Sequence, residues 1–154
     1  MENREILEAR VGVPLKLINV ADIDLEKDRG LQLDASILTR DAFQVVNNPE
    51  VDIVVEMIGG DGIAKALILK AMENGKQVVT ANKALLAKHG NQLFKTAVDN
   101  GVDLAYEASV GGCMPIIKTL RESLVGNRIQ SMTGILNGTC NYILSKITDE
   151  GIEF

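Results

Sequence analysis

The sequence of 154 residues predicts an α/β fold, in which helices cover both faces of a parallel sheet. Short stretches rich in Val, Ile and Leu alternate along the chain with longer stretches of helical periodicity. Glycine follows the helical stretches, as expected where a helix ends before the next strand. Aromatic residues make up only 3% of the chain and Trp is absent, so we expect an aliphatic core.

Four apolar stretches have the length and composition of strands that are buried on both faces of a sheet. They are LKLINVA (15–21), VDIVVEM (51–57), KQVVTA (76–81) and VDLAYEA (102–108).

Three helices are predicted after these strands, over residues 63–73, 83–99 and 115–126. The first places Ala64, Leu67, Ile68 and Ala71 on one face, and the second places Leu86, Leu93, Phe94 and Ala97 on one face. Asn82 is the expected N-cap of the second helix. The third helix has proline in its first turn and glycine just after its end.

The pattern changes near residue 127, where one longer strand is predicted to run into a helix. We therefore expect a dinucleotide-binding domain over residues 1–126 and the beginning of an α+β catalytic and dimerisation domain over residues 127–154.

Composition and charge argue against several classes of protein. The net charge of −5 and the scattered basic residues do not suit a nucleic-acid or anionic-membrane surface. Cys113 and Cys140 form no CxxC pair, and His89 is the single histidine, so no zinc site is predicted. The charged first residues do not resemble a signal peptide, and no apolar run reaches the roughly 20 residues of a membrane helix. We expect a cytoplasmic protein with free thiols.

The carboxyl ends of the predicted strands gather polar residues and glycines on one edge of the sheet, where ligands bind in open α/β folds. Asp22 ends the first stretch, Gly59 and Gly60 follow the second, Lys83 follows the third, and Glu107 lies at the end of the fourth. Each also has an ordinary structural explanation: a turn aspartate, loop glycines, a solvent-facing lysine and a helix-capping glutamate. Their shared position favours a binding site.

Asp22 has the position of the acidic residue that binds the adenosine ribose hydroxyls in a Rossmann-like fold. No GxGxxG turn precedes it, and MENREILEAR is typical of the helix after such a turn. We therefore expect a doubly wound parallel sheet that is missing its first strand, from a sequence incomplete at its N-terminus.

Three motifs, VVTANKALLA, EASVGGCMPIIKTLRESL and GILNGTCNYIL, closely resemble the homoserine dehydrogenase family in order and spacing, and DIVVEMIGG fits the same family. The resemblance extends from about residue 2 to residue 150. It implies an oxidoreductase that interconverts L-aspartate 4-semialdehyde and L-homoserine with NAD or NADP, in threonine and methionine biosynthesis. It also implies that the parent protein is a homodimer.

The resemblance assigns roles to individual residues. Thr80 and Lys83 match a motif beside the nicotinamide and substrate, and Ile58 and Gly59 match a loop under the cofactor. Gly138 and Thr139 match a loop that approaches the substrate. Four further positions match a monovalent-cation site, usually for sodium, formed mainly by backbone carbonyls: Glu107, Val110, Gly112 and Met114.

The chain departs from the family at Cys113 and Met114, where Gly and Ile are usual, and the family's catalytic aspartate and second lysine would lie beyond residue 154. With these groups and the glycine turn missing, the chain alone is expected to be inactive. Whether the parent carries a regulatory or kinase domain is left open.

Lys83 is the residue expected to be catalytic. A cation in the first turn of a helix is disfavoured by the helix dipole, and such a lysine can hydrogen-bond or relay a proton at a reacting carbonyl. For the cofactor, the carboxylate of Asp22 favours NAD, because it repels a 2′-phosphate, and Ile23 stands where an arginine would help NADP.

Two other functions stay open from the sequence. One is a different small-aldehyde or amino-acid oxidoreductase with the same cofactor edge. The other is a non-catalytic α/β module for ligand sensing or interaction, which keeps the fold without the chemistry. Saturable binding of NAD(P)H would favour the enzymes.

Overall fold

The computed structural model describes residues 3–112, 114–135 and 137–151. Strands and helices alternate through most of this part of the chain, which confirms the predicted α/β class. The strands are β1 (Val20–Ala21), β2 (Leu38–Thr39), β3 (Ile53–Glu56), β4 (Gln77–Thr80) and β5 (Leu104–Ala105). The helices are α1 (Arg4–Val11), α2 (Ala42–Asn47), α3 (Ile63–Glu73), α4 (Lys83–Asn100), α5 (Ile116–Lys118) and α6 (Gly138–Glu150).

The strands form two parallel sheets, one of order β1–β2 and one of order β3–β4–β5. These two groups agree with the prediction of a doubly wound sheet without its first strand, since β1 and β3 do not pair with each other. Each group has the order that a doubly wound sheet shows on one side of its central strand.

The hydrophobic core lies where α3 and α4 pack on the three-stranded sheet. All four predicted core residues of α3 are buried, and its bounds match the prediction. In α4 the residues Leu93 and Ala97 are buried as predicted, but Phe94 is 38% exposed and Leu85 is fully buried. Leu86 is only partly buried against the core, so the buried face of α4 includes Leu85 in place of Phe94. Phe94 instead packs at the margin against Tyr106, with ring centroids 5.1 Å apart.

Several predicted elements have different bounds. The stretch 15–21 is a strand only at Val20–Ala21, and β2 and α2 were not predicted. No strand is formed within the described part of 127–136, although the helix expected after it is present as α6. The helix predicted over 115–126 is α5 followed by a π-helical segment, Thr119–Ser123. β2 was hard to predict because a strand of two residues carries no alternation of apolar and polar positions.

A buried lysine joins the start of β4 to the loop before β3. Lys76 is 5% exposed, and its Nζ donates hydrogen bonds of 2.6 Å to the carbonyl oxygens of Asn48 and Val51. These bonds satisfy carbonyls that lie beyond the sheet ladder, so one ammonium group fixes the path of the chain into β3.

We expect Lys76→Met to lower the free energy of unfolding by about 1–3 kcal/mol, because it leaves the buried carbonyl oxygen of Val51 without its donor, whereas that of Asn48 still accepts the N–H of Val51. Urea denaturation of the 154-residue chain measures the change. Lys70→Met is the matched control, since the Lys70 side chain is half-buried and its Nζ lies 3.7 Å from Glu73 without reaching a backbone carbonyl. Equal midpoints for Lys76→Met and the parent chain would contradict the assigned role.

Candidate cofactor and substrate site

Three strand ends of the larger sheet meet through hydrogen bonds between their loops. Thr80, at the end of β4, donates from Oγ1 to Oε2 of Glu56 at 2.6 Å, and Glu56 ends β3. The backbone oxygen of Thr80 accepts the hydroxyl of Ser109 at 2.8 Å, and Ser109 follows β5. These bonds join the carboxyl ends of β3, β4 and β5, which is the edge where ligands bind in open α/β folds.

Glu56 is the centre of this network, and the sequence did not indicate it. The side chain is 4% exposed, and its Oε1 accepts the backbone N–H groups of Ile58 at 2.8 Å and Gly59 at 3.0 Å. Its other oxygen accepts the Thr80 hydroxyl. One carboxylate thus anchors the loop after β3 and joins it to the end of β4.

Asn82 joins the same loop to the start of α4. Its Oδ1 accepts the N–H of Leu85 at 3.0 Å, which is the predicted helix cap, and its Nδ2 donates to the backbone oxygen of Gly60 at 2.6 Å. Its own N–H donates to Oγ1 of Thr80 at 3.0 Å. The orientation of α4, and with it the position of Lys83, is set by this asparagine.

The loop after β3 presents an open outer surface. Gly59 and Gly60 have φ values of 79° and 71°, a conformation that favours glycine. A Cβ atom built on either residue would meet no atom within 4 Å, so the space over both glycines is free. Such a surface suits the close approach of a flat ligand to the backbone.

Lys83 is the first residue of α4 and its side chain is exposed at this edge. Among the described residues, no ion pair involves Lys83. Its ammonium group is therefore available to a ligand over the edge. Further along the same helix, Lys88 pairs with Asp61 at 2.5 Å, and the Lys88 hydrogen bond lowers the pKa of the Asp61 carboxyl below its usual value.

Asp22 lies at the end of β1, on the other sheet. Its Oδ2 lies 2.6 Å from Nη2 of Arg29, and its Oδ1 accepts the N–H of Asp24 at 2.9 Å. Arg29 also donates from Nη1 to the backbone oxygens of Asp24 and Lys27. The predicted ribose-binding carboxylate is thus already paired with an arginine that lies seven positions later, in an irregular loop whose path the sequence pattern does not predict.

Glu107 stabilises the start of α5 through its carboxylate. Oε1 accepts the N–H of Ile117 at 2.9 Å and Oε2 accepts the N–H of Lys118 at 2.7 Å. This geometry supports the helix-capping explanation, one of the two that the sequence left open.

The predicted cation site stays a prediction. Its carbonyls lie in the loop from Glu107 to Met114, which turns through Gly111 and Gly112 with φ values of 71° and 64°. Cys113 lies outside the described residues. The described part of the chain contains no cluster of three or more His, Cys, Asp or Glu side chains suited to a metal, so a cation here would depend on backbone oxygens.

Gly138 and Thr139 begin α6, where Oδ1 of Asn137 caps the helix by accepting the N–H of Cys140 at 2.8 Å. The hydrogen bonds of this segment within the described residues are local, and none joins it to the strand ends. In the described ranges, no helix is both long and apolar enough to cross a membrane.

Comparison with protein families matches almost the whole chain. The family model described as homoserine dehydrogenase, NAD binding domain, matches residues 3–107, and the model described as homoserine dehydrogenase matches residues 115–154.

Individual relatives agree with these matches. The homoserine dehydrogenase of Neisseria gonorrhoeae is 46% identical over 153 residues, which are 99% of this chain and 35% of that protein. That of Pseudomonas aeruginosa is 54% identical over 120 residues, covering 78% of this chain and 28% of the relative. A crystal structure of a homoserine dehydrogenase from Thiobacillus denitrificans matches with a TM-score of 0.84 at 46% identity, over 98% of this chain and 35% of that one. The chain spans about a third of the length of these relatives.

We expect Glu107→Ala to speed hydrogen exchange of the Ile117 and Lys118 amides, since both lose their acceptor. The amides of Val78 and Val79 in β4 should keep their protection, because the sheet does not depend on this carboxylate. Exchange followed by NMR on the 154-residue chain measures both sets. Glu122→Ala, at an exposed glutamate of the following segment, is the control. Unchanged exchange at Ile117 and Lys118 would contradict the capping role.

Proposed function

The chain belongs to the homoserine dehydrogenase family, and we propose that its strand ends hold the nicotinamide cofactor and the reacting carbonyl in the interconversion of L-aspartate 4-semialdehyde and L-homoserine. One observation carries this proposal. The bonds from Glu56 and Asn82 place the open loop at Ile58 and Gly59 beside Thr80 and the first turn of α4.

The described residues fit a nicotinamide cofactor. The free space over Gly59 and Gly60 admits a flat ring close to the backbone, and Thr80 and Lys83 border the same edge. When bound, the cofactor supplies or accepts the hydride. The chain's own contribution is to hold the ring against the loop and to place the Lys83 ammonium where it donates a hydrogen bond to the aldehyde oxygen.

For the adenosine end we propose that NAD is preferred and that Arg29 moderates the preference. Asp22 repels a 2′-phosphate, but its charge is balanced by the guanidinium 2.6 Å away. The same guanidinium can donate a hydrogen bond to a 2′-phosphate. Both cofactors are therefore substrates in this proposal, with the ratio between them set by the Asp22–Arg29 pair.

The remaining parts of the proposal follow from family membership. A sodium ion would bind the backbone oxygens of Glu107, Val110, Gly112 and Met114, and Gly138 and Thr139 would approach the substrate. The cofactor domain would end near residue 126, and residues 127–154 would contribute to a catalytic and dimerisation domain in a cytoplasmic homodimer.

Activity is tested in a complete background, by replacing the matched segment of the Neisseria gonorrhoeae relative with these 154 residues. We expect this chimera to oxidise homoserine with NAD or NADP. Lys83→Ala should lower kcat by roughly 10²–10⁴, the range for loss of an acid–base group. Lys95→Ala, on the same helix and paired with Asp99, is the matched control. A chimera without turnover contradicts the function, and an active chimera unaffected by Lys83→Ala contradicts the role of Lys83.

The cofactor proposal has its own test in the same chimera. Arg29→Ala should lower kcat/KM for NADP relative to NAD by about tenfold, the effect of one hydrogen bond to a charged group. The substitution removes a donor to the 2′-phosphate and leaves Asp22 unbalanced. Arg4→Ala is the control, since Arg4 forms an exposed pair with Glu8 on α1. A ratio unchanged by Arg29→Ala, or a parent chimera that clearly prefers NADP, would show this assignment wrong.

A further inference from the structure

Glu56 is a buried charge without a cationic partner. Of the ion pairs formed between described residues, none includes this side chain. Its two oxygens are instead satisfied by two backbone N–H groups and one hydroxyl. A carboxylate buried in this way is costly unless every donor is held in place, so it strongly favours one conformation of the loop that supplies the donors.

The conformation it selects determines what the loop presents outwards. In a trans peptide the N–H and the C=O point in opposite directions. Because the N–H groups of Ile58 and Gly59 point inwards to Oε1 of Glu56, the carbonyl oxygens of Met57 and Ile58 point away from it. Met57 and Ile58 are exposed residues, and between described residues neither oxygen accepts a backbone hydrogen bond, so both are open to a ligand on the side of the loop away from Glu56.

An edge of carbonyl oxygens recognises hydrogen-bond donors and repels anions. The neighbouring edge carries Thr80 and Lys83, where the nicotinamide end of the cofactor is proposed to lie. The hydrogen-bond donor at the nicotinamide end of the cofactor is the NH2 group of the carboxamide, which a pair of backbone oxygens can hold in one orientation. The orientation of the carboxamide fixes which face of the ring meets the substrate.

We propose that Glu56 is a positioning residue. It turns the carbonyl oxygens of Met57 and Ile58 outwards so that they accept hydrogen bonds from the carboxamide NH2 group of the nicotinamide. The inference rests on the proposed function. Glu56 acts through the loop and touches neither cofactor nor substrate, whereas Ile58 and Gly59 make the approach that the family resemblance implies.

The first test needs no activity. In the 154-residue chain, Glu56→Ala should speed hydrogen exchange of the Ile58 and Gly59 amides. Glu56→Gln should keep much of their protection. The amide oxygen of Gln still accepts both N–H groups, and its NH2 group can donate a hydrogen bond to Oγ1 of Thr80. Glu73→Ala, at an exposed glutamate of α3, is the control. Unchanged exchange in Glu56→Ala would overturn the proposed hold on the loop, whatever the enzyme assay shows.

The second test uses the chimera with NAD and with 3-acetylpyridine adenine dinucleotide. In this analogue a methyl ketone replaces the carboxamide, so the pyridine ring carries no N–H donor at that position. Glu56→Ala should lower kcat with NAD by roughly 10- to 100-fold, as expected for a misplaced reacting group. It should also reduce the preference for NAD over the analogue by roughly three- to tenfold, the effect of one neutral hydrogen bond.

Glu56→Asp separates the loss of the loop anchor from general unfolding. It keeps a carboxylate at this position but shortens the side chain by one methylene. The Glu56→Asp variant should also lose the preference for NAD over the analogue, whereas the Glu56→Gln variant should keep most of it. An active parent chimera whose Glu56→Ala and Glu56→Asp variants keep the full preference for NAD overturns the inference while leaving the proposed function intact. An inactive parent chimera contradicts the proposed function itself, and the exchange measurement still decides the role of Glu56 in the loop.

Discussion

The parallel pairing of β3 with β4 sets the rest of the described site. Its register places Glu56 beside Thr80, the last residues of the two strands, and both side chains are buried. A shift of β4 by one residue against β3 would put these two side chains on opposite faces of the sheet. The Thr80 hydroxyl would then lose the carboxylate, and α4 would begin without its hydrogen bond to Gly60.

The polar groups of the site divide into two kinds by their surroundings. Glu56 lies in the interior and accepts hydrogen bonds from neutral donors, namely two backbone N–H groups and the hydroxyl of the buried Thr80. Asp22 and Asp61 lie near solvent and pair with the cations of Arg29 and Lys88. Neutral donors fix a buried charge without the cost of desolvating a second one, whereas exposed pairs contribute little to stability and remain free to rearrange around a ligand.

Sequence patterns predicted the parts of this fold that depend on local rules. The bounds of α3 follow from its apolar stripe, and the start of α4 follows from the capping preference of Asn82. The strand-end rule placed Gly59, Gly60 and Lys83 at one edge, and the hydrogen bonds of Glu56 and Asn82 join these segments there, whereas Asp22 lies on the other sheet.

Features that depend on contacts between distant residues were not predictable in this way. Glu56 appears in the sequence as one charge at the end of an apolar stretch, and only the strand register reveals Thr80 beside it. The pairing of Arg29 with Asp22 depends on the path of an irregular loop.

The double use of Asn82 restricts which amino acids this position can hold. Asp, Ser and Thr cap helices about as well as Asn does, so the needs of α4 alone would permit any of them. Gly60, however, lies 22 positions earlier and accepts a hydrogen bond from the amide nitrogen, a donor that an ionised aspartate does not have and a hydroxyl is too short to replace. The residues tolerated at the start of this helix are therefore set by the loop after β3. An exchange that is conservative for the helix would still break the link between α4 and that loop.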